Sequence, residues 1–309
     1  MTTLKNNTSI SSRLAKNIKR NIKERVIEFI LMLAALSAVL TTFSIVAVLV
    51  IESLAFFEHV SLIDFLTDTQ WTPLFEDAHY GIMPLVAGTL TTSAIALCVA
   101  IPLGTIGAIY LSEFASHKVR EIVKPVLELL VGVPTVVFGY FALLFVTPLL
   151  QKIYPDLPGF NMLAPGIVMG IMIIPYISSV AEDAMRAVPM SMREGSYAMG
   201  ATRFQTAVKV VTPAAISGII AAYILAISRA VGETMVVAIA AGQQPTLTFN
   251  PMESAATITA YIVQVALGDL PHGSIGYQSI FAAGLVLMIM TLTFNILGHF
   301  ARKRFRETY

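Results

Sequence analysis

The stretch that decides the fold is Ile82–Leu111, which reads IMPLVAGTLTTSAIALCVAIPLGTIGAIYL and contains no charged residue. A helix needs about 20 mostly apolar residues to cross the ~30 Å hydrocarbon core of a membrane. Proline and glycine within this stretch, and within the third predicted span at Gly132, Pro134 and Gly139, indicate tilted or kinked helices. The sequence therefore predicts an all-α polytopic membrane protein with six transmembrane helices. The other five predicted spans are Phe29–Ile51, Ile122–Leu150, Ala164–Val180, Ala214–Ala241 and Ser279–Phe300.

The composition supports this prediction. Apolar residues make up 56% of the 309 residues and charged residues only 13%, about half of the ~25% that is usual in soluble proteins. This excludes a soluble enzyme, a disordered protein and a nucleic-acid binder with a basic face. Because Cys98 is the single cysteine and the five histidines lie in separate regions, we expect no disulfide, no metal site and no cofactor.

The distribution of basic residues predicts the orientation. Of the 20 Lys and Arg residues, 18 lie in the two terminal segments and in the connections that follow the second and fourth spans. Positively charged loops remain in the cytoplasm, so both termini are predicted to be cytoplasmic. The predicted external loops, in which Lys152 is the only basic residue, are 52–81, 151–163 and 242–278.

The first 28 residues have a pattern of their own. Apolar residues recur every four positions among basic side chains, at Ile10, Leu14, Ile18, Ile22 and Val26. This pattern is typical of an amphipathic helix that lies on the anionic lipid of the inner leaflet, with a flexible polar tail as the alternative. The following span is too long for a cleaved signal peptide, so we expect an uncleaved anchor. Residues 301–309 form the predicted cytoplasmic tail.

The connection 188–213 is unusually long and patterned. It begins VPMSMREGSYAMGATRF at residues 188–204 and closes at Thr212 and Pro213. We expect a helix with Ser191 as N-cap and Glu194 completing a capping box, ended by Gly200. A second helix would follow. An ordinary amphipathic hairpin is the alternative interpretation.

The spacing of Glu194, Gly200 and Pro213 resembles the EAA loop of ABC importer permeases, which implies the type I permease fold. The chain departs from the family pattern at Gly195, Ser196, Val210 and Thr212. In that family the short helix docks in a groove of a cytoplasmic ATPase. The sequence contains no Gly-x-x-x-x-Gly-Lys-Ser/Thr phosphate loop, so ATP hydrolysis requires a separate subunit and no catalytic residue is expected here. The resemblance implies that the coupling residues are Glu194, Gly195, Ser196, Met199, Gly200, Ala201 and Thr202.

A charged pair lies within the fifth predicted span, which reads SRAVGETM from Ser228 to Met235. An ionised Arg229 in hydrocarbon costs about 2.5–3.5 kcal/mol on insertion scales, so it must face protein, a partner or water. Glu233 is four residues on and shares a face if the helix is continuous. The pair is either a structural ion pair or part of an oxyanion site, in which Arg229 supplies planar donors.

This stretch resembles the Arg-Ala-φ-Gly-Glu-Thr signature, φ being apolar, of phosphate-specific (Pst) permeases, as do residues 80–90 and 130–139. The Met after Gly-Glu-Thr and the basic N-terminal extension are similar to the C-type subunit. The resemblance implies phosphate import across a bacterial inner membrane, with Ser228, Arg229 and Glu233 on the pathway.

The resemblance also implies the partners. They are an A-type permease paralogue, two copies of the ATPase and an extracytoplasmic phosphate-binding protein, with no nucleic acid. Transport of sulfate or molybdate is one alternative, and an autonomous secondary transporter is another. Trp71 is expected to anchor the first external loop at the interface or to seat the binding protein.

Overall fold

The computed structural model describes residues 3–73, 75, 77–271 and 273–304, with side chains described from residue 23 onward except that of Asp269. Helices dominate these residues, and no strand is formed by the described part of the chain. Four helices are long and apolar enough to cross a membrane, and two bent helix pairs raise the number to six if each pair is one span. The all-α polytopic prediction is thereby confirmed.

The helices are numbered in chain order. They are α1 Thr3–Phe57, α2 Leu62–Thr67, α3 Met83–Ile109, α4 His117–Val131, α5 Thr135–Phe141, α6 Thr147–Gln151, α7 Leu163–Arg186, α8 Met190–Ala198, α9 Arg203–Thr206, α10 Thr212–Ala214, α11 Ile216–Val231, α12 Met235–Ala240, α13 Ile258–Gln264 and α14 Ile275–Arg304. Short π-helical segments occur at Tyr110–Phe114, Ala142–Val146, Ala207–Val211 and Val265–Asp269.

The first of two structural units ends at Glu52 and consists of most of α1. The helix runs without a break from Thr3 to Phe57, so the described residues 3–28 are continuous with the first span. The side chains of residues 1–22 lie outside the described residues, and their placement on a lipid surface stays a prediction. Beyond them, apolar side chains such as Val39 and Phe43 are exposed, which suits a helix surrounded by lipid or another subunit.

The second unit, which begins at Ser53, is built around the packing of α3 on α7. Small residues let two helix backbones approach closely in a membrane. A Cβ atom on Gly104 would lie 2.7 Å from the Cβ of Ile177, and one on Gly170 would lie 2.8 Å from the carbonyl oxygen of Ala96. Glycine is therefore required at both positions. The buried small residues that recur every four positions on α3 are Ala96, Ala100, Gly104 and Ala108.

The third and fifth predicted spans are not continuous helices. The chain bends by 87° between α4 and the helical segment 135–151, and by 72° between the helical segment 203–214 and α11. Pro134 starts the second part of the third span with extended backbone, and its ring prevents the preceding helix from continuing. The fifth predicted span, Ala214–Ala241, breaks again after Val231 and resumes as α12.

The segments predicted as external loops contain ordered structure. Trp71 is only 1% exposed and packs edge-on against Tyr261, with their ring centroids 4.9 Å apart. The prediction of an interfacial anchor at Trp71 is therefore wrong, because its ring is a core residue. The predicted loop 242–278 includes α13, and α14 begins at Ile275 rather than at Ser279.

Candidate functional site

The patterned connection after α7 folds as helix, glycine turn and helix. The first helix, α8, begins at Met190, and Pro189 is its N-cap residue with extended backbone angles. Ser191 therefore lies inside the helix, where it cannot cap, and the predicted capping box with Glu194 is absent. The capping box is formed instead by Thr202 and Gln205 at the start of α9.

Gly200 ends this first helix, as the sequence predicts. Its φ of +83° lies in the left-handed region, which favours glycine at a helix C-terminus. The hydroxyls of Ser196 on α8 and Thr206 on α9 are 2.8 Å apart. This hydrogen bond, together with one from the Ala201 amide to the Ser196 carbonyl oxygen, holds the two short helices as one compact projection.

The seven predicted coupling residues lie on this projection. Glu194, Gly195, Met199, Gly200 and Thr202 are exposed, and Ser196 and Ala201 are partly exposed. Met199 is 88% exposed, and Phe204 beside the turn is 65% exposed. Exposed apolar side chains on a projecting segment suit a protein contact surface.

A buried ion pair, which sequence reasoning missed, connects this projection to the long helices α3 and α7. Arg193 on α8 donates to both carboxylate oxygens of Glu113, at 3.3 Å from Nε and 2.9 Å from Nη2. It also donates to the carbonyl oxygens of Val188 and Met185. Arg193 thus joins α8 to the segment that ends α3 and to the end of α7. The only signal in the sequence is the isolated acid, Glu113, directly after an uncharged span.

A second charge cluster lies nearby on α4 and α7. The Glu182 carboxylate is 1% exposed and lies 2.8 Å from Nζ of Lys124. Arg120 and Arg186 lie 3.9 and 3.7 Å from it. Burial of a carboxylate is tolerated only where cations compensate it, so this cluster fixes α4 against α7. The sequence gives no pairing signal for it.

Arg229 occupies the last turn of α11. Its guanidinium carbon lies 4.8 Å from the ring centroid of Tyr176 on α7, within the distance of a cation–π interaction. Its Nε is buried and has no hydrogen-bond partner among the described residues. A partly buried cation with an unused donor is therefore present in the second unit.

The predicted pair between Arg229 and Glu233 is not formed. The helix ends at Val231 with Gly232 as C-cap, so the two residues do not share a helix face. The Glu233 side chain instead accepts a hydrogen bond from the Val236 amide at the start of α12. Its carbonyl oxygen accepts one from Thr259. Glu233 thus stabilises the helix break rather than neutralising Arg229.

Ser228 has a different partner again. Its hydroxyl donates to Oδ1 of Asn295 on α14 at 3.2 Å. The side chains of Ser228, Arg229 and Glu233 therefore contact three different elements, α14, α7 and α12. Among the residues that the structure describes, no cluster of His, Cys, Asp or Glu is placed to hold a metal ion.

Comparison with known proteins agrees with this architecture. Residues 100–307 match the family described as binding-protein-dependent transport system inner membrane component. The chain is 38% identical over 245 residues to the probable ABC transporter permease protein YqgH of Bacillus subtilis, with 79% of each chain covered. It is 33% identical over 279 residues to the phosphate transport system permease protein PstC 1 of Mycobacterium tuberculosis, covering 79% of this chain and 82% of that one.

The fold also has solved counterparts. A bacterial ABC transporter involved in the import of alginate matches with a TM-score of 0.64 and 20% identity, covering 96% of this chain and 100% of that chain. The two relatives named above are permease proteins, and the ATPase of such importers is a separate subunit. This chain thus belongs to the family of binding-protein-dependent transport system inner membrane components, as a multi-pass, non-catalytic permease subunit of an ABC importer.

Proposed function

We propose that this chain is the C-type permease subunit of an importer of inorganic phosphate. The relatives named as phosphate transport permeases support the substrate. The observation that carries the proposal is Arg229, a cation in the second unit whose buried Nε donor has no hydrogen-bond partner among the described residues. An oxyanion supplies the acceptors that this donor lacks.

The chemistry of the guanidinium fits an oxyanion. Arginine offers planar, forked donors that match phosphate oxygens. The face of Tyr176 stabilises the cation when no anion is present, without placing a carboxylate beside the substrate. Each charge-assisted hydrogen bond contributes roughly 1.5–3 kcal/mol, which lowers the barrier to entry without trapping the ion.

The family and the orientation predicted by the basic residues support the following assembly. The chain pairs with an A-type paralogue, and the pathway lies between the two subunits, with a second cation opposite Arg229. Two ATPase subunits bind on the cytoplasmic side, where both termini lie, and a phosphate-binding protein delivers the ion from outside. Ser228 and Glu233 support the pathway by holding α14 and α12 in place.

Coupling to ATP hydrolysis is assigned to the projection formed by α8 and α9. Its exposed residues, Met199 and Phe204 among them, form the contact with the ATPase. Because Arg193 is hydrogen-bonded to the ends of both α3 and α7, movement of α8 is transmitted to two spans at once.

The test is ATP-driven uptake of radiolabelled phosphate by the complete complex in proteoliposomes. We expect uptake that requires ATP and the binding protein and that excess sulfate or molybdate does not inhibit. Inhibition by one of these anions would reassign the substrate. Uptake by the purified chain alone, driven by an ion gradient, would overturn the ABC assignment.

A further inference from the structure

A cavity lies between α11 and α14, at the end of α11 opposite to Arg229. Its volume is about 630 Å³. The residues that line it are Ser217, Gly218, Ala221, His299, Arg302 and Lys303. Nothing in the proposed transport or coupling mechanism uses these side chains.

The charged groups that line the cavity are cations, and they have no acidic partner among the described residues. Arg302 and Lys303 are exposed in the last turn of α14, and neither forms an ion pair with a carboxylate in the described part of the chain. No described carboxylate lines the cavity. Ser217 and His299 add further hydrogen-bonding groups. The cavity therefore presents two positive charges to a ligand, which favours an anion with several acceptor oxygens.

The cavity lies at the level where the helix leaves the membrane. With 30 residues, α14 is about 45 Å long and exceeds the ~30 Å hydrocarbon core, so its charged last turn reaches the headgroup region. Exposed apolar side chains occur on the same two helices, at Leu225 one turn after the lining residue Ala221 on α11 and at Phe300 next to the lining residue His299 on α14. A basic pocket with adjoining apolar surface is typical of lipid headgroup sites between membrane helices.

We propose that this cavity binds the phosphate group of an anionic phospholipid, with its acyl chains along the exposed apolar side chains of α11 and α14. Arg302 and Lys303 contact the phosphate, and Ser217 contributes a hydroxyl. Free phosphate has the same acceptor oxygens. However, it is too small to fill the cavity, and it has no apolar surface to cover Leu225. The predicted orientation places this lipid in the cytoplasmic leaflet.

The experiment uses the full chain in nanodiscs of phosphatidylglycerol and phosphatidylcholine, with retained lipids counted by native mass spectrometry. We expect the wild-type chain to retain phosphatidylglycerol preferentially. Arg302→Gln/Lys303→Gln should weaken that preference by about fivefold for each charge removed. The matched control is Lys118→Gln/Arg304→Gln, which removes two exposed basic charges that do not line the cavity and should leave the preference unchanged.

Two results would overturn the proposal. One is an equal preference for phosphatidylglycerol in the cavity variant and the control variant. The other is binding of inorganic phosphate in pure phosphatidylcholine nanodiscs, where the bound phosphate excludes the lipid and Arg302→Gln/Lys303→Gln abolishes the binding. That result would assign the cavity to the free ion. Neither readout depends on transport, so the proposal is tested separately from the proposed function.

Discussion

At the scale of single residues, Arg229 and Glu233 show how a local break changes the role of a charge. Four residues apart on a continuous helix, they would pair. Gly232 ends α11 between them, so Glu233 turns to the Val236 amide and Arg229 to the face of Tyr176. The cation keeps an unused donor as a result, and this is the property that a pathway residue for anions requires.

The contact with Tyr176 leads to the first prediction. Tyr176→Phe keeps the ring face and should transport phosphate near the wild-type rate, whereas Tyr176→Leu removes the face and should reduce transport severalfold. The reason is that a cation–π contact contributes about 0.5–2 kcal/mol. The measurement is initial phosphate uptake by the assembled complex at matched membrane levels. Equal uptake by the Phe and Leu variants would show that the ring face has no part in positioning Arg229.

The capping role of Glu233 leads to the second prediction. Glu233→Gln retains an acceptor for the Val236 amide and should lower the melting temperature and transport only slightly. Glu233→Ala removes the cap, which costs about 0.5–2 kcal/mol, and should lower the melting temperature clearly. Thermal unfolding in detergent measures the melting temperatures of both variants. If Gln destabilises as much as Ala, the carboxylate charge, rather than the cap, is what the fold needs.

At the scale of elements, the projection of α8 and α9 is joined to the bundle by Arg193. Breaking a buried ion pair by removing one partner costs about 3–5 kcal/mol. We predict that Arg193→Met lowers the melting temperature and abolishes phosphate-stimulated ATP hydrolysis. Arg203→Met, on the same projection, replaces an exposed side chain whose guanidinium carbon lies 5.6 Å from the Phe114 ring centroid, and it should have a much smaller effect.

A charge swap sharpens this prediction. The double variant Glu113→Arg/Arg193→Glu restores the ion pair but places an acceptor against the carbonyl oxygens of Val188 and Met185, which need a donor. It should therefore fail to restore stimulated ATPase activity. Full recovery by the swap would show that the pair, and not the link to α7, transmits the movement.

The glycine turn allows a matched comparison. At a φ of +83°, Asn is tolerated better than other residues with side chains, while Pro is excluded because its ring fixes φ near −65°. Gly200→Asn should retain stimulated ATP hydrolysis, and Gly200→Pro should abolish it while the chain still inserts in the membrane. A Cβ at this position meets open space, so a side-chain clash does not distinguish the two variants. Pro differs from Asn in its fixed φ and in lacking the amide that donates to the Tyr197 carbonyl oxygen. Stimulated hydrolysis by the Pro variant would remove this loop from the coupling mechanism.

At the scale of the whole molecule, the sequence predicted the helical class, the approximate positions of the six apolar segments and the glycine turn. These follow from local signals, namely run length, charge asymmetry and a residue that favours positive φ. The kink that proline and glycine predict in the third segment is confirmed by the bend at Pro134. The sequence did not predict the bend at Ala215 or the break after Val231, because a composition suited to a membrane span does not require a continuous helix.

The functional site was predictable to the same degree. Arg229 was identified because a charge in an apolar segment is conspicuous. Glu113, Arg193 and Tyr176 were missed because their roles depend on contacts between residues far apart in the sequence. Glu113 and Arg193 are 80 positions apart, and Tyr176 and Arg229 are 53 positions apart. Such pairings are created by tertiary packing and leave no periodic signal in the chain.

The most direct test of the account is phosphate uptake by the assembled complex carrying Arg229→Gln, beside Arg304→Gln as a control that removes an exposed charge elsewhere. Gln keeps hydrogen-bonding ability and removes the charge that attracts the oxyanion. We predict that Arg229→Gln inserts and assembles normally. Phosphate uptake should fall at least about tenfold, because charge-assisted hydrogen bonds of ~1.5–3 kcal/mol are lost. Near-normal uptake by Arg229→Gln at wild-type membrane levels would contradict this prediction and make Arg229 a packing residue.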